Sequence, residues 1–250
     1  MDANLQNDSG LVLLPGLMCD ARMFLGQGAC GLIVDGFYGG ATTLKGMADY
    51  ALARLPDRFA LVGHSMGARV ALEVFRKAPE RVTRIALAST GVHPVQPGER
   101  EKRYRLRDIG RREGMERLVD EWLPPMLSPK ARSDTDLVDR LRAMCLDAGL
   151  EIFEAQIEAL LARAPVDDVL ARIDCPALSV TGQLDNWSPP EQHQDIARRI
   201  SGCELRIVPG SGHMLPAERP DDFDAVLGEW LAAPAHHPKP NTSPEQGMAQ

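Results

Sequence analysis

What this sequence of 250 residues lacks narrows it first. It has no CxxC pair. Its five cysteines, Cys19, Cys30, Cys145, Cys175 and Cys203, are odd in number and scattered, which argues against a disulfide framework and against a zinc site. It has no excess of base: 28 Lys and Arg stand against 35 Asp and Glu, a formal net charge of −7, whereas a nucleic-acid partner calls for a basic face. No apolar run approaches the roughly 18 residues that a membrane span needs. The start, Met1-Asp2-Ala3-Asn4, lacks the basic and apolar regions of a secretory leader. The expectation is a cytoplasmic protein whose partner is a small molecule, not a nucleic acid or a membrane.

What is present is ordinary for a globule, with 44% apolar and 25% charged residues. Six short apolar runs recur: Leu11–Leu14, Gly31–Val34, Phe59–Val62, Arg84–Ala88, Ala177–Thr181 and Leu205–Val208. Runs this short, not alternating and mostly bounded by Gly or Pro, read as strands covered on both faces. Helical patterns lie between them. Val70, Ala71, Val74 and Phe75 form one stripe, closed by Pro79. Phe223, Val226, Leu227, Trp230 and Leu231 form another behind Pro220. The alternation predicts an α/β fold with a mostly parallel central sheet flanked by helices.

One segment breaks the alternation. From about Glu99 to Arg163 there is no strand-like run, but there are helical patterns around Leu118–Trp122, Leu137–Cys145 and Leu150–Leu161. This predicts a helical insertion, about residues 94–165, within a single domain of residues 1–232. Residues 233–250, rich in proline and polar side chains, are expected to be a disordered tail.

The chemistry is carried by Gly63-His64-Ser65-Met66-Gly67, a GxSxG pattern that a strand enters and an amphipathic helix leaves. A serine on so sharp a turn is strained, and only small residues two before and two after leave it room. Ser65 is the expected nucleophile. Its base is expected to be His213, in Pro209-Gly210-Ser211-Gly212-His213 after the last strand. His64 is locked beside the serine, His93 reads as a loop residue, His193 as a helix-face residue, and His236 and His237 fall in the tail. The acid that orients the base is expected to be Asp185, in Thr181-Gly182-Gln183-Leu184-Asp185 after the fifth strand. Asp174 precedes that strand and so lies at the wrong end of the sheet. No acid follows the fourth strand, where Ser89-Thr90-Gly91 stand. Two backbone N–H groups must meet the developing oxyanion: Met66, next to the nucleophile, and Leu17, in Leu14-Pro15-Gly16-Leu17-Met18, with Met18 one residue away as the alternative.

With these residues in view, the chain resembles the alpha/beta hydrolase family from Leu11 to Leu231. The matching pieces are Leu14-Pro15-Gly16-Leu17, Asp35-Gly36-Phe37-Tyr38-Gly39, the Gly-His-Ser-Met-Gly turn, Pro79-Glu80-Arg81-Val82, Gly182-Gln183-Leu184-Asp185, and Gly212-His213 with Glu218-Arg219-Pro220. The helical insertion resembles the cap that roofs the active site in that family. The family usually has His-Gly where this chain has Pro15-Gly16, which implies a different hydrogen-bond support for the oxyanion loop. The stretch from Phe24 to Asp35 is short, with little room for a full helix.

The resemblance implies a serine hydrolase working through an acyl-enzyme on a small, apolar ester or lactone, with no metal and no organic cofactor. Thioesterase, carbon–carbon bond hydrolase and acyltransferase activities stay open on the same residues, and a non-catalytic binding member of the fold is the remote alternative. Trp122, Met126, Phe153 and Trp187 are candidate pocket linings, with Met115 and Met144 beside them; packing within the insertion itself is the plainer reading. Arg100, Lys102, Arg103, Arg105 and Arg107, interleaved with acids, read as a solvated helix face, the sharper alternative being contact with a substrate carboxylate.

Overall fold

The computed structural model describes residues 10–26 and 31–234. Six strands, β1 (Gly10–Leu14), β2 (Gly31–Ile33), β3 (Phe59–His64), β4 (Val82–Ala88), β5 (Ala177–Gly182) and β6 (Glu204–Val208), form one sheet in the order β2-β1-β3-β4-β5-β6. Every pairing is parallel. The predicted class is therefore the observed one. The central strands β1, β3 and β5 are buried almost throughout, whereas edge strands β2 and β6 leave Leu32 and Ile207 exposed. Continuous apolar runs mark strands covered on both faces, and the weaker runs mark the edges.

Ten helices accompany the sheet among the described residues. Those used below are α1 (Leu44–Leu52), α2 (Met66–Lys77), α3 (Glu99–Glu113), α4 (Met115–Trp122), α5 (Pro129–Arg132), α6 (Thr135–Leu161), α7 (Asp167–Leu170), α8 (Pro190–Arg199), α9 (Leu215–Glu218) and α10 (Pro220–Ala232). The stripes read from sequence face inward: Val70, Ala71, Val74 and Phe75 of α2, and Phe223, Leu227 and Trp230 of α10, are buried. Helices α3 to α6 lie between β4 and β5. The basic run, read as a helix face, forms the 15-residue helix α3. The two patterns at Leu137–Cys145 and Leu150–Leu161 fall in two helical stretches of α6, separated at Gly149, whose φ 77° and ψ 170° are not helical. A residue with a Cβ is strained at that φ, so glycine makes the break cheap.

A 3₁₀ turn at Ala21–Met23 precedes Phe24, and β2 begins at Gly31. Residues 27–30 and most of the expected tail, 235–250, lie outside the described residues, as do Cys30, His236 and His237. Cys19, Cys145, Cys175 and Cys203 are free thiols. No helix among the described residues is long and apolar enough to cross a membrane.

The strand order positions the site. From β1 the chain moves one way to β2, then returns to the other side of β1 for β3 and onward to β6. The loops leaving β1 and β3 therefore part at their C-terminal ends, and open parallel sheets form their crevice at such a switch point. Leu17 follows β1, Ser65 follows β3, and Asp185 and His213 follow β5 and β6.

Candidate active site

Ser65 is the pivot between β3 and α2. It holds φ 55° and ψ −115°, outside the regions ordinarily open to a residue with a side chain. The two flanking glycines explain how the turn closes. A Cβ on Gly63 would overlap the backbone of Gly67 and Ala68, and one on Gly67 would overlap the carbonyls of Leu14 and Pro15. Thr90, after β4, donates its hydroxyl to the Ser65 carbonyl at 3.0 Å. The N–H of Thr90 is in turn accepted by His193 Nε2 at 2.9 Å. That acceptor role places the proton of His193 on Nδ1, which faces Ser179 Oγ at 2.8 Å. The loop that lacks an acid thus braces the turn from behind.

Ser65 Oγ lies 2.9 Å from His213 Nε2, and His213 Nδ1 lies 2.9 Å from Asp185 Oδ2 and 3.1 Å from Oδ1. His213 and Asp185 are buried. Asp185 Oδ1 also accepts the N–H groups of Trp187 and Ser188, both at 2.8 Å. Burial pushes the Asp185 carboxyl up, but the adjoining His213 and these two amides outweigh it and hold the group well below the usual carboxylate range. It stays an anion, able to fix the imidazole tautomer and to balance an imidazolium.

The backbone of His213 is clamped too. Its N–H donates to the Met126 carbonyl at 2.8 Å, and its carbonyl accepts from His64 Nε2 at 2.9 Å. Burial, then proximity to His213, push His64 down to about 3, so its ring is neutral. The Glu218 carboxylate gathers three N–H groups: Gly212 at 3.0 Å, Ser128 at 3.1 Å and Met214 at 3.2 Å.

The loop after β1 brings Leu17 to the cavity beside Met66 and Ser65. Its support differs from a histidine's, as Pro15 requires: the Tyr38 hydroxyl donates to the Pro15 carbonyl at 2.7 Å. Met18 has φ 55°, and its N–H is taken by Gln156 Oε1 of α6 at 2.8 Å. With the Met18 amide engaged, Leu17 and Met66 are the neighbouring amides with no hydrogen bond among the described residues.

A cavity of about 310 Å³ opens on Ser65 and His213. Trp122, Met126, Phe153 and Trp187 all line it, whereas Met115 and Met144 do not; Met144 is wholly buried in the core. Of the basic run on α3, Lys102 and Arg103 line the cavity. Arg100, Arg105 and Arg107 turn to Tyr104, Glu121 and Asp108. Sequence reading passed over Arg69, Glu99, Arg163 and Gln156. The available signal was Arg69 on the first turn of a helix whose other early positions are apolar. No group of three or more metal-ligating side chains is present among the described residues.

The model of the alpha/beta hydrolase family matches residues 11–226. Among curated relatives, a Bacillus subtilis protein provisionally named 2-succinyl-6-hydroxy-2,4-cyclohexadiene-1-carboxylate synthase is 29% identical over 181 residues, 69% of this chain and 65% of its own. A pimeloyl-[acyl-carrier protein] methyl ester esterase of Pectobacterium carotovorum is 26% identical over 193 residues, 74% of each chain. The matches with the first two relatives span just under two thirds of those proteins, 65% and 66%. A thermophilic esterase from Thermogutta terrifontis superposes with a TM-score of 0.79 at 27% identity, over 90% of this chain and 91% of that one.

Proposed function

The chain belongs to the alpha/beta hydrolase family, and on that premise we propose that it is a serine hydrolase cleaving a carboxylic ester or lactone of a small molecule. The observation that carries the reading is the hydrogen-bonded line from Ser65 Oγ through His213 to Asp185 at the floor of a cavity. In it, Ser65 Oγ attacks the substrate carbonyl carbon while His213 Nε2 takes the hydroxyl proton. Asp185 keeps the Nδ1–H tautomer and balances the imidazolium. The Leu17 and Met66 amides receive the oxyanion. His213 then hands its proton to the leaving oxygen, the carbon–oxygen bond breaks, and an acyl-enzyme forms on Ser65. Water, deprotonated by His213, releases the acid.

The helices between β4 and β5 act as a cap, supplying Trp122, Met126 and Phe153 to the cavity wall. The names of the relatives include an esterase and a synthase, so thioesters and carbon–carbon bonds are the second class of substrate for the same residues. The deciding experiment is a panel of p-nitrophenyl esters of rising chain length, lactones and acyl-thioesters, run beside Ser65→Ala. Hydrolysis of an ester or lactone that falls by at least about 10³-fold in Ser65→Ala supports the reading. A fluorophosphonate should label Ser65 alone; labelling at Ser89 or Ser211 instead would overturn it.

A further inference from the structure

The cavity wall is charged against the sign of the chain. The protein carries a formal net charge of −7. Its cavity nevertheless has four cations, Arg69, Lys102, Arg103 and Arg163, and one carboxylate, Glu99. That carboxylate is fully engaged. Arg163 grips both its oxygens at 2.7 Å, and Arg103 approaches Oε1 at 2.9 Å. Burial pushes Glu99 up, but the bonds from Arg163, the Gln96 amide and Arg103 outweigh it and hold it at about 2. Glu99 acts on Arg69 only through space: no hydrogen bond or ion pair joins the two among the described residues.

Arg69 is the unbalanced member. It is 5% exposed. Its only hydrogen bond among the described residues goes from Nη2 to the His93 carbonyl at 2.8 Å, and it forms no ion pair there. Burial, then the like charge of Arg163, push its guanidinium down to about 9. A buried cation with no carboxylate in contact is costly unless something brings one. Arg69 stands on the first turn of α2, four residues on from Ser65, and both side chains line the same cavity. A guanidinium presents paired donors that match the two oxygens of a carboxylate. An anion on Arg69 and a carbonyl at Ser65 therefore fit within one small molecule.

We propose that the cavity takes a substrate bearing a free carboxylate, which Arg69 binds and which distinguishes it from neutral esters: the monoester of a small dicarboxylic acid, or a lactone carrying an acid group. This rests on the hydrolase reading for its reaction but not for its binding step, and the two are separable.

Wild-type protein is assayed on monomethyl and dimethyl esters of the same diacids, malonate to adipate. For the best-fitting length, kcat/KM for the monoester should exceed that for the diester by about tenfold or more, since the paired donors of a guanidinium engage a carboxylate and not a methyl ester. Arg69→Gln should collapse the monoester-to-diester ratio by a similar factor, mainly through KM, and Arg69→Lys should restore part of it. Binding of the free diacid to Ser65→Ala, measured calorimetrically, needs no catalysis and no folded Arg69 variant. Diacid binding without turnover of any ester would sink the hydrolase reading and support the anion site. Turnover of esters with no preference for the monoester, together with no diacid binding to Ser65→Ala, would overturn the proposal and leave the hydrolase reading intact.

Discussion

Gln156 and Met18 are 138 residues apart in sequence, yet the side-chain oxygen of the first takes the backbone N–H of the second at 2.8 Å inside the protein. The bond ties α6 to the loop after β1. Met18 stands there at a positive φ, beside Leu17, which lines the cavity with Ser65.

Gln156→Leu should therefore act through position rather than contact. It leaves the Met18 N–H buried without an acceptor, a cost of about 1–3 kcal/mol. Activity on an ester should fall roughly tenfold in kcat with KM little changed, the pattern of an interaction felt in the transition state. Gln156→Glu keeps an acceptor and should recover part of the loss. Steady-state kinetics on both variants checks this; unchanged kcat in Gln156→Leu would show that the loop holds its shape without the bond.

Asp185→Asn should be severe. The side-chain oxygen would stay on the Trp187 and Ser188 amides, as Asp185 Oδ1 does now. That turns the NH2 group against His213 Nδ1 and favours the wrong tautomer. By analogy with serine proteases, kcat should drop on the order of 10⁴-fold. Asp174→Asn and Asp35→Asn serve as controls, with circular dichroism confirming the fold. Retention of more than about a tenth of wild-type kcat would remove Asp185 from its role.

Acid should weaken the fold through two histidines. Burial pushes His64 down to about 3 and His193 to about 4, from an ordinary value of 6.5. Below pH 6.5 the unfolded chain takes up protons at both positions that the folded chain does not. Stability is then full above pH 6.5 and falls as pH drops toward 4 and 3. Between pH 7.5 and pH 5 the loss should be on the order of 4 kcal/mol for the two together, about 10 °C in Tm. Thermal melts across that range test it, with His193→Gln expected to give a shallower slope. A flat Tm in the wild type would contradict two buried neutral rings.

Two glycines should behave differently when replaced by alanine. Gly67→Ala drives a Cβ into the Leu14 and Pro15 carbonyls and should abolish soluble folded protein. Gly98→Ala meets no atom within 4 Å and bears only the strain of φ 76°, about 1 kcal/mol. Equal yields and melting temperatures for the two variants would mean that the turn at Ser65 can relax.

Ser65, His213 and Asp185 were legible because each follows a strand and sits among glycines or small residues, and strand ends are readable from short apolar runs. Both edge strands were found within a residue or two despite their weaker burial. Arg69 and Gln156 were not legible as site residues. Each lies within a helix, where a polar side chain ordinarily faces water; only the packing of α6 against the loop after β1, and the enclosure of the cavity by α3 and α6, turns them inward. The break in α6 was legible, because the two apolar patterns stop on either side of Gly149, which takes a non-helical conformation.

The carboxylate of Glu218 has a further consequence for how molecules enter and leave. By holding Ser128 as well as Gly212 and Met214, and with the His213 N–H on the Met126 carbonyl, it ties the segment before α5 to the loop that carries His213. Widening the entrance on that side would break those bonds and pull His213 off Ser65 in the same motion. Any widening of the cavity is then expected where α3 borders it instead. The Gly212, His213 and Ser128 amides should then exchange with deuterium far more slowly than those of α3.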